Sequence, residues 1–158
     1  MARTDWLHLV VCIVICLLAG IIGSFFTTKN IPTWYAAINK PAFNPPNWIF
    51  GPVWTTLYLM MGISLFLVWR QRNTLNISHA LIFFSIQLIL NALWSFLFFG
   101  MKLLLLGFIE ICILWIFILL SIITFSGISS TASYLLIPYL LWVSYASVLN
   151  YFIFKLNS

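Results

Sequence analysis

Apolar residues run almost without interruption through five stretches, roughly 7–26, 48–69, 78–99, 103–125 and 132–154. Each is about the length a helix needs to cross the hydrocarbon core of a bilayer. Between the first two runs the pattern breaks. Lys40-Pro41 and Asn44-Pro45-Pro46 deny a helix its amide donors and push the preceding residues toward extended backbone. The stretch at about 28–47 therefore reads as a structured Pro/Trp-rich first loop, stiffened by proline and placed to act as a lid. It feeds a helix that starts near Asn47 or, with Pro52 in its first turn, near Phe50. The predicted fold is an all-α membrane protein, a five-transmembrane-helix bundle forming a single integral membrane domain over 1–158.

The spacing inside the runs assigns faces. Cys12, Cys16, Gly20 and Ser24 recur every four residues, with Ala19 and Gly23 alongside. Such a small-residue face lets another helix approach closely, from the same chain or from a second subunit. Trp54, Tyr58, Met61, Gly62 and Leu65 share a face of the second helix. In the third, Gln87, Asn91 and Ser95 repeat at the same interval beside Trp94 and Phe98. Polar side chains at that depth must face protein, water or ligand, so interhelical hydrogen bonds and ligand contacts both stay open. Glu110, with Gly107, Leu114, Phe117 and Ser121 on one stripe of the fourth helix, reads as a buried carboxyl hydrogen-bonded to another helix. In the fifth helix Pro138, Trp142, Tyr145, Ala146 and Leu149 share a face, with Asn150 next to it. Val148, Tyr151 and Lys155 fit the loose aliphatic–Tyr–basic pattern proposed for cholesterol contact.

Composition agrees: 64% hydrophobic and 6% charged residues with a mean hydropathy of +1.13 exclude an ordinary soluble domain. The first apolar run exceeds the core of a secretory signal, so it reads as a retained helix. The net charge of +5 comes from Arg3, Lys29, Lys40, Arg70, Arg72, Lys102 and Lys155, all near span ends. That placement anchors helices in a bilayer and offers no nucleic-acid patch. The basic residues divide three against four between the two sides, so they assign no orientation. Cys12, Cys16 and Cys112 lie within spans at no metal-binding spacing and read as small packing residues. No nucleophile beside a base, carboxylate pair or phosphate loop is present, so hydrolysis and group transfer have no candidate residues.

Several of these fragments agree with one family in order and spacing. Trp34-Tyr35, Lys40-Pro41, Pro45-Pro46, the run from Trp48 through Gly51-Pro52 and Trp54 to Tyr58, and Met61-Gly62 resemble the first loop and second helix of the tryptophan-rich sensory protein, or translocator protein, family (TspO/MBR, the peripheral benzodiazepine receptor). Gln87, Asn91, Trp94-Ser95 and Phe98-Phe99-Gly100 resemble its third helix, and Pro138-Tyr139, Trp142, Ala146 and Leu149-Asn150 its fifth.

The resemblance implies a dimeric five-helix membrane receptor whose cavity, closed by the first loop, takes porphyrins of the protoporphyrin IX type, sterols and other flat aromatic ligands. Carried over by position, the pocket comprises Tyr35, Pro45 and Phe50 from the loop, Trp54 and Tyr58 from the second helix, and Asn91, Trp94 and Phe98 from the third. The fifth helix adds Trp142, Ala146 and Leu149. Trp54 and Asn91 would be the polar contacts, and Val148, Tyr151 and Lys155 the sterol motif, with Lys where the family more often has Arg.

A flat aromatic ligand suits such walls. Lys29 or Lys40, flanking the loop, would meet a porphyrin propionate. His8 and His79 lie at span ends, so no axial metal ligand and no cofactor are expected, and the porphyrin enters as a metal-free ligand. The resemblance also carries two alternatives: light- and oxygen-dependent porphyrin breakdown with Trp54 or Trp142 as electron donors, and transport of tetrapyrroles or sterols. The remaining expected partner is the lipid bilayer. Richness in Ile, Asn, Phe and Lys points to an AT-rich bacterial genome, and so to a bacterial cell membrane.

Overall fold

The computed structural model describes residues 3–158, with side chains from Asp5 onward; the charge of Arg3 lies outside the described side chains. Five helices account for nearly all of it: α1 (Arg3–Asn30), α2 (Phe50–Trp69), α3 (Ser78–Ser95), α4 (Leu104–Ser126) and α5 (Ser130–Asn157), with no strand among the described residues. All five are long and apolar enough to cross a membrane. Contacts between neighbours close them into a ring in the order α1–α2–α5–α4–α3.

The ends follow local chemistry. Ser129 caps α5 by accepting from the Ala132 amide at 3.3 Å. Between α3 and α4 the chain reverses at Lys102, whose φ of 59° lies in the left-handed region. A 3₁₀ turn, Asn47–Ile49, leads into α2, with Pro52 in its first turn. Toward the first loop the helix outruns the sequence expectation. α1 does not stop near residue 26 but passes into a π turn at Ile31–Tyr35 and continues to Ala37, so the loop starts ten residues later than expected. Pro32 lies inside that wider turn, where the missing amide and the bulk of its ring are absorbed without ending the helix. A second π turn, Phe96–Gly100, extends α3 alongside it. The Phe26 and Phe96 rings meet edge to face there at 5.1 Å.

The small residues of α1 are used for packing inside the chain. Cys12, Cys16 and Ala19 are buried. A Cβ on Gly62 would lie 2.6 Å from the Ile13 Cα, so α1 and α2 touch backbone to backbone at that point. Farther along, the Tyr58 ring rests on Gly20, and the Ser95 hydroxyl sits 2.9 Å from where a Gly23 Cβ would be. Polar ties complete the ring: Ser64 Oγ donates to the Ala132 carbonyl of α5 at 2.6 Å, and Trp115 Nε1 of α4 to Ser144 Oγ at 2.7 Å.

Candidate ligand cleft

From the close Gly62–Ile13 contact toward the first loop, α1 and α2 leave a cleft of about 300 Å³ between them, with α3 as its back. Gly20 and Gly23 keep the α1 wall low. Phe50, Trp54 and Tyr58 supply the α2 wall, Trp54 and Tyr58 stacked with ring centroids 5.6 Å apart and planes 27° apart. Trp94 and Phe99 close the back. Nearer the loop the lining turns polar, with Ser24, Thr27, Thr28, Asn47 and Thr55. The hydroxyls of Ser24, Thr28 and Thr55 donate to their own helix carbonyls, which leaves their oxygens free to accept from a ligand.

Four of the residues expected to bind ligand, Phe50, Trp54, Tyr58 and Trp94, thus stand together on the cleft. The others lie behind or beside it. Tyr35 is buried within a cluster of rings: Trp34, Phe98 and Phe99 surround it, and Phe50 meets it edge to face at 6.4 Å. Its hydroxyl donates to Asn44 Oδ1 at 2.6 Å, and the Asn44 amide donates in turn to the Pro45 carbonyl at 3.0 Å. Phe98 stacks on Trp94 at 5.4 Å. Trp142 reaches the rim only through Phe50, at 6.2 Å, while Ala146 and Leu149 are buried in the bundle. Val148 and Tyr151 are 50% and 41% exposed, and Lys155 is exposed. The motif therefore faces outward along α5, with Tyr151 on Phe108 of α4 at 5.6 Å, and is separate from the cleft.

Asn91 is committed to the protein. Its Oδ1 accepts from the Tyr58 hydroxyl and its Nδ2 donates to the Tyr139 hydroxyl at 3.0 Å, so it reaches the cleft only by holding Tyr58. Behind Trp94 a second bridge has the indole Nε1 donating to Asn150 Oδ1 at 3.2 Å. The predicted pocket list left out the whole α1 wall, Gly20, Gly23, Ser24, Thr27 and Thr28 among it, and also Tyr139, which holds Asn91 from behind the cleft. The inward face of α5 is centred on Tyr139 and not on Pro138, which is exposed; Tyr139, Val143, Ala146 and Asn150, spaced by three or four residues, were the available signal.

Two expectations are corrected. Lys40 is not free for a ligand: its Nζ donates to the carbonyls of Tyr35, Ile38 and Ala36 at 2.6, 2.8 and 3.2 Å, and stands 5.1 Å from the Tyr35 ring centroid. It caps the carbonyl end of the first helix, where a cation is favoured. Glu110 is buried as expected, but neither carboxyl oxygen has a hydrogen-bonding partner among the described residues, nor does the Gln87 amide.

A closed ring of five spanning helices with an aromatic cleft at the loop end defines a small multi-pass membrane protein. Residues 12–156 match the TspO/MBR family, and the chain belongs to it, a family of membrane sensory and translocator proteins. It is 47% identical over 155 residues to the tryptophan-rich protein TspO of Chlorobaculum tepidum, covering 96% of both chains. To the tryptophan-rich protein TspO of Archaeoglobus fulgidus it is 46% identical, over 96% of this chain and 98% of that one. To the human translocator protein it is 33% identical over 138 residues, 86% and 82% of the two chains.

Proposed function

We propose that the protein is a membrane receptor for flat, largely aromatic amphiphiles, tetrapyrroles of the protoporphyrin IX type foremost, bound in the cleft between α1, α2 and α3. The observation that carries this reading is the stacked Trp54–Tyr58 pair, joined by Trp94, beneath a hydroxyl-lined mouth. Aromatic faces suit a planar macrocycle, and the polar rim suits its substituents. With Lys40 occupied, Lys29, exposed and adjacent in sequence to the cleft-lining Thr28, is the basic group we assign to a propionate.

The test is protoporphyrin IX titration of the protein in nanodiscs, followed by tryptophan quenching. Gly51 lines the cleft, and a Cβ there would meet nothing within 4 Å. Gly51→Leu should fill the space without disturbing the fold and weaken binding about tenfold or more, a difference of ~1.4 kcal/mol. Lys29→Ala should flatten the salt dependence, and Tyr151→Phe on the outer face should bind as the parent protein does. Equal binding by Gly51→Leu would move the ligand elsewhere.

Trp54 in the cleft wall favours one second reading, light- and oxygen-dependent breakdown of the bound porphyrin. It predicts loss of porphyrin absorption under illumination that needs oxygen and that Trp54→Phe abolishes while binding persists.

A further inference from the structure

The seam between α1 and α2 is tight where Gly62 meets Ile13 and open from there toward the first loop. Its outer lips are Ile21 of α1, 52% exposed, and Gly51 and Thr55 of α2, both exposed. Leu18 and Leu59, on the same two helices, are exposed as well. Both helices are long and apolar enough to cross a membrane, so what lies outside their seam is hydrocarbon and not water. The cleft also changes character along its length. Leu17, Gly20 and the Tyr58 ring make its deep end apolar, and Ser24, Thr28 and Thr55 make its loop end polar. Lys29, exposed, follows Thr28 at that end. From mid-membrane to the span end this is the order of polarity of a lipid molecule. The dimensions agree. Gly20 and Ile31 bound the lined part of α1, about 16 Å apart at the helical rise, so a volume of about 300 Å³ has a mean section near 20 Å². That is a slot for one hydrocarbon chain lying along the helices.

We propose that, without other ligand, the cleft holds one acyl chain of a bilayer phospholipid, inserted sideways through the α1–α2 seam with its headgroup level with Thr28 and Lys29. A chain leaves one apolar medium for another when it enters, so water exclusion contributes little. Its hold comes from packing against Leu17, Trp54 and Tyr58, and from the polar end. There the hydroxyl oxygens of Ser24, Thr28 and Thr55 accept from headgroup donors, since their protons are given to their own helices, and Lys29 faces the level of the phosphates. A free fatty acid has the same kind of chain. The phospholipid is the occupant because the seam opens on the bilayer, where such chains are the surrounding medium. This goes beyond the tetrapyrrole reading: it names the molecule that a tetrapyrrole displaces from the cleft.

The experiment is native mass spectrometry of the protein taken from phospholipid nanodiscs into mild detergent and washed. The parent protein should retain a single phospholipid. Gly51→Leu and Ser24→Leu, which fill the slot from α2 and from α1, should each lower that occupancy about tenfold or more. Ser147→Leu, on the outer groove between α4 and α5, should keep it. Saturating protoporphyrin IX should replace the lipid one for one. No retained lipid in the parent, equal retention in the parent and both cleft variants, or a retained mass that is a fatty acid overturns the proposal, as does a protoporphyrin complex that keeps its lipid. Lipid lost from both cleft variants of a protein that binds no protoporphyrin supports the chain and removes the tetrapyrrole reading.

Discussion

Asn91 meets a tyrosine on either side, and the two bonds assign its amide without ambiguity: the oxygen accepts from Tyr58 and the nitrogen donates to Tyr139. Tyr139→Phe should therefore strand a buried amide donor and lower stability by ~1 kcal/mol, measured by reversible unfolding in mixed micelles. Glu110 should respond in the opposite sense. Both its oxygens are unpartnered in the bundle, so Glu110→Leu should leave stability unchanged or raise it by ~1 kcal/mol or more, since it removes a buried polar group that nothing compensates. The inward face was legible for Asn91 from the four-residue series Gln87, Asn91 and Ser95, and for Glu110 from the stripe it shares with Gly107, Leu114, Phe117 and Ser121. Their partners were not, because the two tyrosines that complete Asn91 come from helices 33 and 48 residues away in sequence. Nothing in the sequence distinguishes an amide that finds two hydroxyls from a carboxyl that finds none.

The helices themselves were legible for a simple reason. An apolar run of membrane length has few other uses, and α2, α4 and α3 taken with its π turn begin and end within about two residues of the expected positions. Reading failed at the first loop, where Pro32 looks like a terminator and the wider turn around it lets the helix continue to Ala37. It placed the turn between α3 and α4 at 100–102 but gave no sign of its backbone geometry. There Lys102 adopts a left-handed conformation at a position where glycine is at home. Lys102→Gly should relieve that strain and stabilise the protein by ~0.5–1 kcal/mol, visible as a higher unfolding midpoint with unchanged helix content by circular dichroism.

Closing the ring decides which aromatic residues act together. Trp54 and Tyr58 were correctly grouped from α2 alone, and Trp94 joins them because α3 stands behind α1 and α2. Trp142, Ala146 and Leu149 were expected in the same pocket, but α5 presents its inward face to the tyrosine–asparagine bridges, and none of the three lines the cleft. The order of helices around the ring, not the content of any one, makes that difference. The π turn at Ile31–Tyr35 carries a consequence of its own for length variation. It accommodates one residue more than a regular turn does, and that surplus coincides with the proline that requires it. Deleting Pro32 should let the turn close into ordinary α-helix while Tyr35 and Asn44 keep their pairing. The same deletion in the middle of α2 would rotate every later side chain by about 100° and dismantle the aromatic wall. A chain folded this way can lose a residue at Pro32 without shifting the frame of its first loop, and a folded, Pro32-deleted protein would show it.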